Sequence, residues 1–192
     1  MKKITTVFVC LVFFGAGVYA QGVSIGVKGG LNLANQTYSG NGYTSSPNFR
    51  PTIHVGGYAT LMFSEHLGLQ PELLYSGQGA KSGSAAYKLN YIAIPVLVRY
   101  NVNKLLSFHA GPQVSLLSSA KYDNGVTTVD YKDRFKSSDV SVAVGATVDL
   151  PIKLNFTFRF IKGLSDISDD ASSVKTKNYT VQLSVGYKLF GK

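Results

Sequence analysis

Apolar and polar residues alternate along most of the chain after residue 21, which is the pattern of β-strands with one apolar and one polar face. The alternation is clearest near the C-terminus. One face there carries Ile152, Leu154, Phe156, Phe158 and Phe160. The opposite face carries Lys153, Asn155, Thr157 and Arg159. If every strand has such an apolar face, the faces either pair into a sandwich or point outward into lipid.

The pattern predicts eight strands and no helix. The strands run approximately over residues 22–33, 51–63, 68–80, 87–101, 104–119, 138–150, 152–163 and 177–190. Three connections are short: 64–67, 101–103 and the corner at 150–151. Four are long: 34–50, 81–86, 120–137 and 163–176. This alternation is typical of an outer-membrane barrel with short periplasmic turns and long extracellular loops.

The N-terminus predicts export. Lys2-Lys3 precedes an apolar run over residues 4–19, which ends at the small-residue site Val18-Tyr19-Ala20. We therefore predict a signal peptide over residues 1–20 and a single β-barrel domain over residues 21–192. A transmembrane anchor is disfavoured because the run is short and ends in a processing site.

Periodicity alone does not decide between apolar faces that point outward and a soluble sandwich or lipocalin-like barrel with apolar faces inward. Two features favour the outward arrangement. Small residues that suit a narrow lumen recur on the polar faces: Ser24, Gly26, Gly30, Ala143, Gly145, Ser184 and Gly186. Aromatic residues that suit interfacial girdles lie near strand ends: Phe63, Tyr75, Tyr100, Phe108, Tyr179 and Tyr187. We therefore predict an all-β, eight-stranded antiparallel transmembrane barrel with up-and-down topology, and the lipocalin-like binding barrel is a minor alternative.

Composition and charge agree with a small barrel. Charged residues make up 15% of the chain, which contains 20 Gly, 12 Tyr and 11 Phe. Loss of Lys2 and Lys3 with the signal peptide lowers the net charge from +9 to +7. This basic excess indicates either a polar lumen and loops that are rich in Lys and Arg, or affinity for anionic lipid head groups or phosphates. Since the basic residues are scattered along strands, we expect no nucleic-acid partner. The single cysteine, Cys10, lies in the signal peptide, so we expect a mature chain without disulfides.

Charged residues on the polar faces are the candidate site. We predict that they form an ion-pair network in the lumen: Lys28, Glu72, Arg99, Asp149, Lys153, Arg159 and Lys188. Glu72 and Arg99 lie at similar predicted depth on neighbouring strands, so we expect them to pair. The alternative is that the charged residues line a narrow conduit that favours anions. Ile152, Leu154, Phe156, Phe158 and Phe160 are predicted to face lipid.

The histidines raise the possibility of catalysis. His66 lies in a predicted turn, whereas His54 and His109 share a polar face with Ser107 and Ser115 near them. A Ser/His pair would suit a lipid hydrolase, but no motif surrounds these residues. We expect no catalytic, cofactor-binding or metal-binding residue, and no enzymatic activity.

Several segments resemble one family. Val27-Lys28-Gly29-Gly30-Leu31-Asn32 and Tyr91-Ile92-Ala93-Ile94-Pro95-Val96-Leu97-Val98 are similar to the first-strand and fourth-strand motifs of PorT-type outer-membrane β-barrels, often labelled the porin family. Ala110-Gly111-Pro112, Gly163-Leu164-Ser165-Asp166-Ile167 and Gly186-Tyr187-Lys188-Leu189-Phe190 fit the same family. Ala93 stands where the family has a glutamate. The resemblance covers the mature chain and implies fold and location, but its members share no single activity.

The expected function is therefore that of an integral protein of the bacterial outer membrane with a structural or surface-interaction role. The expected partners are outer-membrane lipid and, during insertion, the barrel-assembly machinery. Two other functions stay open at this point: a porin-like small-solute channel and a PorT-type assembly factor of a secretion machine.

Overall fold

The computed structural model of the protein describes residues 22–40, 43–45, 48–168 and 175–191. The predicted signal peptide, residues 1–20, lies outside these residues. The described part of the chain is almost entirely β-structure, with a single turn of 3-10 helix at Lys132–Arg134. None of its helices is long and apolar enough to cross a membrane.

Eight long and two short strands form the sheet of the described residues. In chain order they are β1 (Gly22–Gly40), β2 (Tyr43–Ser45), β3 (Arg50–Met62), β4 (Leu67–Ser82), β5 (Ala85–Asn101), β6 (Leu106–Asp123), β7 (Thr128–Asp130), β8 (Ser138–Asp149), β9 (Leu154–Gly163) and β10 (Lys175–Phe190). Each long strand pairs antiparallel with the next long strand, and β10 also pairs with β1, which closes the ring. The predicted eight-stranded up-and-down barrel is confirmed.

The two ends of the barrel differ in their connections. One end, called the turn end, carries the short turns 63–66, 102–105 and 150–153. The other, called the loop end, carries the longer connections that follow β1, β6 and β9. The prediction of a long loop over residues 81–86 is wrong, because β4 continues to Ser82 and β5 begins at Ala85. Gly83 in this tight hairpin has φ 58°, a left-handed conformation that glycine adopts without a Cβ clash.

Side chains alternate between the lumen and the outer surface along most of each long strand. In β9, Asn155, Thr157 and Arg159 are buried inside the ring. Phe156 and Phe158 point outward and are 48% and 54% exposed. The apolar faces therefore surround the barrel, and the lipocalin-like arrangement with apolar faces inward is wrong for this chain.

The start of β9 differs from the prediction. The strand begins at Leu154, so Ile152 and Lys153 lie in the preceding turn, where both are exposed. Lys153 has φ 67°, and its N–H donates to the Leu150 carbonyl at 3.2 Å. Because the turn takes these residues out of the alternation, the assignment of Lys153 to the lumen is wrong.

The loop end of the barrel contains an aliphatic cluster. Leu89, Leu117, Ala120 and Ile167 are buried together with Tyr91, and Phe135 packs against them. A β-bridge between Phe135 and Ser168 joins the loop after β6 to the loop after β9. The two loops thus fold inward and cover this end of the lumen.

Candidate functional site

Four residues from four strands meet in the middle of the lumen. They are Lys28 on β1, Glu72 on β4, His109 on β6 and Arg159 on β9, and we call them the central cluster. Arg159 binds Glu72 in a bidentate manner, with Nη1 donating to Oε2 at 2.8 Å and Nη2 donating to Oε1 at 2.7 Å. Lys28 Nζ donates to Glu72 Oε1 at 3.2 Å. One carboxylate thus joins two cations across the barrel.

The central cluster is shielded from solvent. The side chains of Glu72 and Arg159 are 0% exposed, and that of Lys28 is 2% exposed. Gln70 Nε2 donates to Glu72 Oε1 at 2.7 Å, and Arg159 Nε donates to His109 Nε2 at 3.1 Å. Since buried charges are costly unless they are paired and hydrogen-bonded, these contacts are the condition for burying three charges here.

A glycine makes room for this arrangement. Gly145 on β8 is the cross-strand partner of His109, and a Cβ at Gly145 would lie 2.6 Å from His109 Nε2. A larger residue would push the imidazole out of contact with Arg159. The small residues on the polar faces therefore serve the packing of the lumen.

A second ion pair lies nearer the turn end. Arg99 Nη2 donates to Asp149 Oδ2, and Arg99 also binds Gln70 and Asn101 at 3.0 Å each. The predicted pair of Glu72 with Arg99 is wrong. In the actual register Arg99 is opposite Gly68, so Glu72 lies four residues farther from the turn end. Gln70 still connects the two groups, because it accepts from Arg99 and donates to Glu72.

The remaining predicted residues lie at the turn end or on the outer surface. Lys188 is half-buried and lines a small polar cavity at the turn end, together with Tyr58, Arg99 and Asp149. Leu154 is half-buried at the start of β9, opposite Tyr187 of β10. Phe156, Phe158 and Phe160 point outward along β9, whereas Ile152 lies in the turn.

His54 belongs to a different group of hydrogen-bonded residues, which lies nearer the loop end than the central cluster does. Its Nδ1 lies 2.7 Å from Asn32 Oδ1, and its Nε2 lies 2.8 Å from Ser184 Oγ. Asn32 uses its amide nitrogen to donate to Ser76 and to the Gly77 carbonyl, so its Oδ1 accepts from His54. The three residues are arranged as Ser–His–amide, but Ser184 is only 5% exposed and Asn32 is 0% exposed.

In the described part of the chain, the imidazoles of His109 and His66 make no hydrogen bond to a serine. His109 binds Arg159, while Ser107 donates to the Thr147 carbonyl and Ser115 accepts from Gln113. His66 contacts the Asn101 carbonyl in its turn. Among the described residues, no group of three or more His, Cys, Asp or Glu side chains is placed to hold a metal ion.

Three members of these networks were not predicted: His109 as an arginine partner, Gln70 and Asn32. All three occupy the polar face of a strand, so the period of two could have found their orientation. The partner of His109 could not be found in this way, because Arg159 lies on β9, which is not a neighbour of β6.

The family follows from a comparison of the sequence with known families. Residues 19–169 match the family model described as outer membrane protein beta-barrel domain. The chain belongs to this family. No curated protein matches the sequence. As an outer-membrane β-barrel, the protein has its turn end in the periplasm and its loop end outside the cell.

Several solved structures are similar to this chain, and one of them supports the fold. Neisserial surface protein A is similar with a TM-score of 0.54 at 13% identity, over 87% of this chain and 97% of that chain. Ail of Yersinia pestis aligns with a TM-score of 0.46 at 12% identity, over 86% of this chain and 98% of that chain. OprG of Pseudomonas aeruginosa gives 0.45 at 14% identity, over 89% of this chain and 97% of that chain. At 13% identity, the similarity to Neisserial surface protein A bears on the fold alone.

The alanine at position 93 now has a structural context in this outer-membrane barrel. Ala93 points into the lumen, is 1% exposed and pairs with Leu74 of β4. The buried carboxylate of this region is Glu72, two residues from Leu74 on the same face of β4. The charge network of the lumen is therefore centred on β4, the neighbour of the strand that carries Ala93.

Proposed function

We propose that the protein is a surface-interaction or structural barrel whose lumen is sealed, so that its contacts are made by the extracellular loops. The observation that carries this proposal is the central cluster. Its members come from β1, β4, β6 and β9, which are spread around the whole ring. Side chains that meet from these positions leave no continuous water column at this level, since an eight-stranded lumen is just wide enough for side chains to fill.

A second layer supports the same proposal. Leu97, Ala143 and Ile161 pack together inside the ring. Farther out, the aliphatic cluster with Phe135 and Ile167 covers the extracellular end. A solute would have to displace both layers to pass, which does not suit a constitutively open small-solute channel.

A swelling assay tests this proposal. Multilamellar proteoliposomes that hold the refolded protein should not swell faster than protein-free liposomes in isotonic arabinose, whereas liposomes with a general porin should. Rapid swelling with the wild-type protein would favour the channel function and overturn the sealed-lumen proposal.

We also propose that the protein is not an enzyme. The Ser–His–amide chain of Ser184, His54 and Asn32 is its nearest approach to a catalytic arrangement, and burial of all three residues supports a structural role. A fluorophosphonate probe should leave the folded protein unlabelled. Labelling that disappears in Ser184→Ala would contradict this proposal.

Lipid and the assembly machinery are the proposed partners. The exposed outward faces of the strands support contact with outer-membrane lipid, and the family supports insertion by the barrel-assembly machinery. Depletion of that machinery should remove the protein from the outer-membrane fraction. Undiminished membrane levels after depletion would argue against this route.

A role in secretion is a second candidate, favoured by the resemblance of residues 27–32 and 91–98 to PorT-type barrels. Deletion of the gene and comparison of the secreted proteins tests it. An unchanged set of secreted proteins would reject the secretion role and leave the surface role in place.

A further inference from the structure

Aromatic side chains gather on the inner wall of the extracellular mouth. Tyr87 of β5 and Tyr122 of β6 are cross-strand partners, and their ring centroids are 4.9 Å apart. Tyr131, from the loop after β7, lies 5.7 Å from Tyr122 and 6.3 Å from Tyr87. Phe135 makes an edge contact with Tyr87 at 6.1 Å. We call these four residues the mouth cluster.

The mouth cluster lies on the lumen side of the sheet and is only partly covered. Tyr87 shares a face of β5 with the buried residues Leu89 and Tyr91. The four rings therefore form the upper surface of the aliphatic cluster below them. All four are half-buried, so part of each side chain stays accessible.

Packing alone does not account for the tyrosines. The hydroxyl groups of Tyr87, Tyr122 and Tyr131 make no hydrogen bond to another residue of the described chain. Phenylalanine would pack on the aliphatic cluster equally well, as it does at Phe135. A tyrosine hydroxyl can both donate and accept, so the cluster presents three polar groups on an aromatic surface. The Arg134 guanidinium lies over the Tyr131 ring, 5.6 Å from its centroid.

We propose that the mouth cluster binds a pyranose saccharide at the extracellular mouth. The C–H face of a pyranose ring stacks on aromatic rings, and its hydroxyls match groups that both donate and accept. Tyr87 and Tyr122 lie on the lumen faces of β5 and β6, so a slender chain reaches them more readily than the surface of a folded protein does. This inference rests on the surface role proposed above and names a ligand class for it.

The experiment is a binding titration with defined oligosaccharides. Saturation-transfer NMR would follow hexamers of glucose, N-acetylglucosamine and galacturonic acid against refolded protein in a detergent without sugar head groups. At least one hexamer should bind saturably. The triple variant Tyr87→Phe, Tyr122→Phe, Tyr131→Phe should bind it at least about tenfold more weakly, since each lost neutral hydrogen bond weakens binding several-fold.

The controls separate recognition from packing. The triple variant keeps every ring, so its unfolding midpoint should be that of the wild type. Tyr187→Phe on the lipid-facing side of β10 should bind as the wild type does. Absence of saturable binding to all three hexamers, undiminished binding by the triple variant, or binding of an unstructured peptide in place of sugar would overturn the proposal. Those results leave the sealed-lumen proposal intact, because liposome swelling tests the lumen independently of any ligand.

Discussion

The lumen is closed at two levels by different chemistry. In the middle, the central cluster holds charges that are compensated by bidentate and single hydrogen bonds. At the extracellular mouth, rings and aliphatic side chains pack on one another, and the hydroxyls of Tyr87, Tyr122 and Tyr131 make no hydrogen bond within the described chain. Residues from four long strands of the barrel form the central cluster, whereas strand ends and two loops form the mouth.

This difference indicates two kinds of stability. The central cluster can separate only if the strands themselves separate, so it should contribute to global unfolding. The mouth depends on loops that can open while the barrel stays intact, so its contacts should appear in local unfolding. We therefore expect ligands to bind at the mouth, whereas the central cluster closes the lumen.

The largest effect is expected from Glu72→Ala. The change leaves Arg159 and Lys28 buried without their anion, and breaking a buried pair in this way costs about 3–5 kcal/mol. Urea titration of the protein in lipid vesicles should show the loss in the free energy of unfolding. Glu65→Ala, in an exposed periplasmic turn, is the matched control and should leave the midpoint unchanged. Equal midpoints for both variants would show that the central cluster adds no stability.

A smaller loss is expected on the outer face of the same barrel. Phe158 points outward from β9, and arginine there should cost about 2–4 kcal/mol if it meets the middle of the bilayer. The same titration measures it. Val129→Arg, at an exposed position of the short strand β7 that lies off the eight-stranded ring, should have little effect. A mild Phe158→Arg would contradict the lipid-facing assignment.

The mouth should respond locally to Ile167→Ala. Ile167 is 0% exposed, so its truncation should weaken loop closure by about 2 kcal/mol. Hydrogen exchange should become faster at amides of the loops after β6 and β9, while the global unfolding midpoint stays the same. Val126, which is 91% exposed, provides the control as Val126→Ala. A lowered global midpoint for Ile167→Ala would show that the central cluster and the mouth unfold as one cooperative unit.

The smallest effect concerns pH. Partial burial alone would raise the pKa of Asp166, but hydrogen bonds from Ser168 Oγ at 2.7 Å and the Thr176 N–H at 2.9 Å hold this pKa below its usual value. Because the folded-state pKa of Asp166 is lowered, its carboxylate stabilises the loop at pH values above the ordinary pKa of about 3.9. This stabilisation is lost as the pH falls through the folded-state pKa. The protection factor of the Thr176 amide, which compares its exchange with that of an unstructured amide, should fall below about pH 4. Asp166→Asn should lack this step; if it keeps the step, another group is responsible.

The faces of the strands could be predicted because they depend only on a period of two. Phe158 and Arg159 are neighbours in sequence and lie on opposite sides of the wall for this reason. The partner of a lumen residue depends instead on register and on contacts across the ring. Arg159 meets Glu72 from a strand that is not its neighbour, and a depth error of four residues sufficed to pair Glu72 with Arg99 wrongly.

Strand ends were the other source of error. The polar segment Lys81–Ala86 has the composition of a loop, yet its ends pair as a hairpin above the apolar band. Lys153 continues the alternation in sequence, but the turn gives it a left-handed conformation and removes it from the lumen. Alternation therefore predicts sidedness within a strand and does not locate where the strand stops.

Single-channel recording tests the central claim most directly. Refolded wild-type protein in planar bilayers should give no discrete conductance steps, because the central cluster closes the lumen. The double variant Glu72→Ala, Arg159→Ala removes the anion and its bidentate partner together, and it should give steps if the mouth opens transiently. Well-defined steps from the wild-type protein at low voltage would contradict the account.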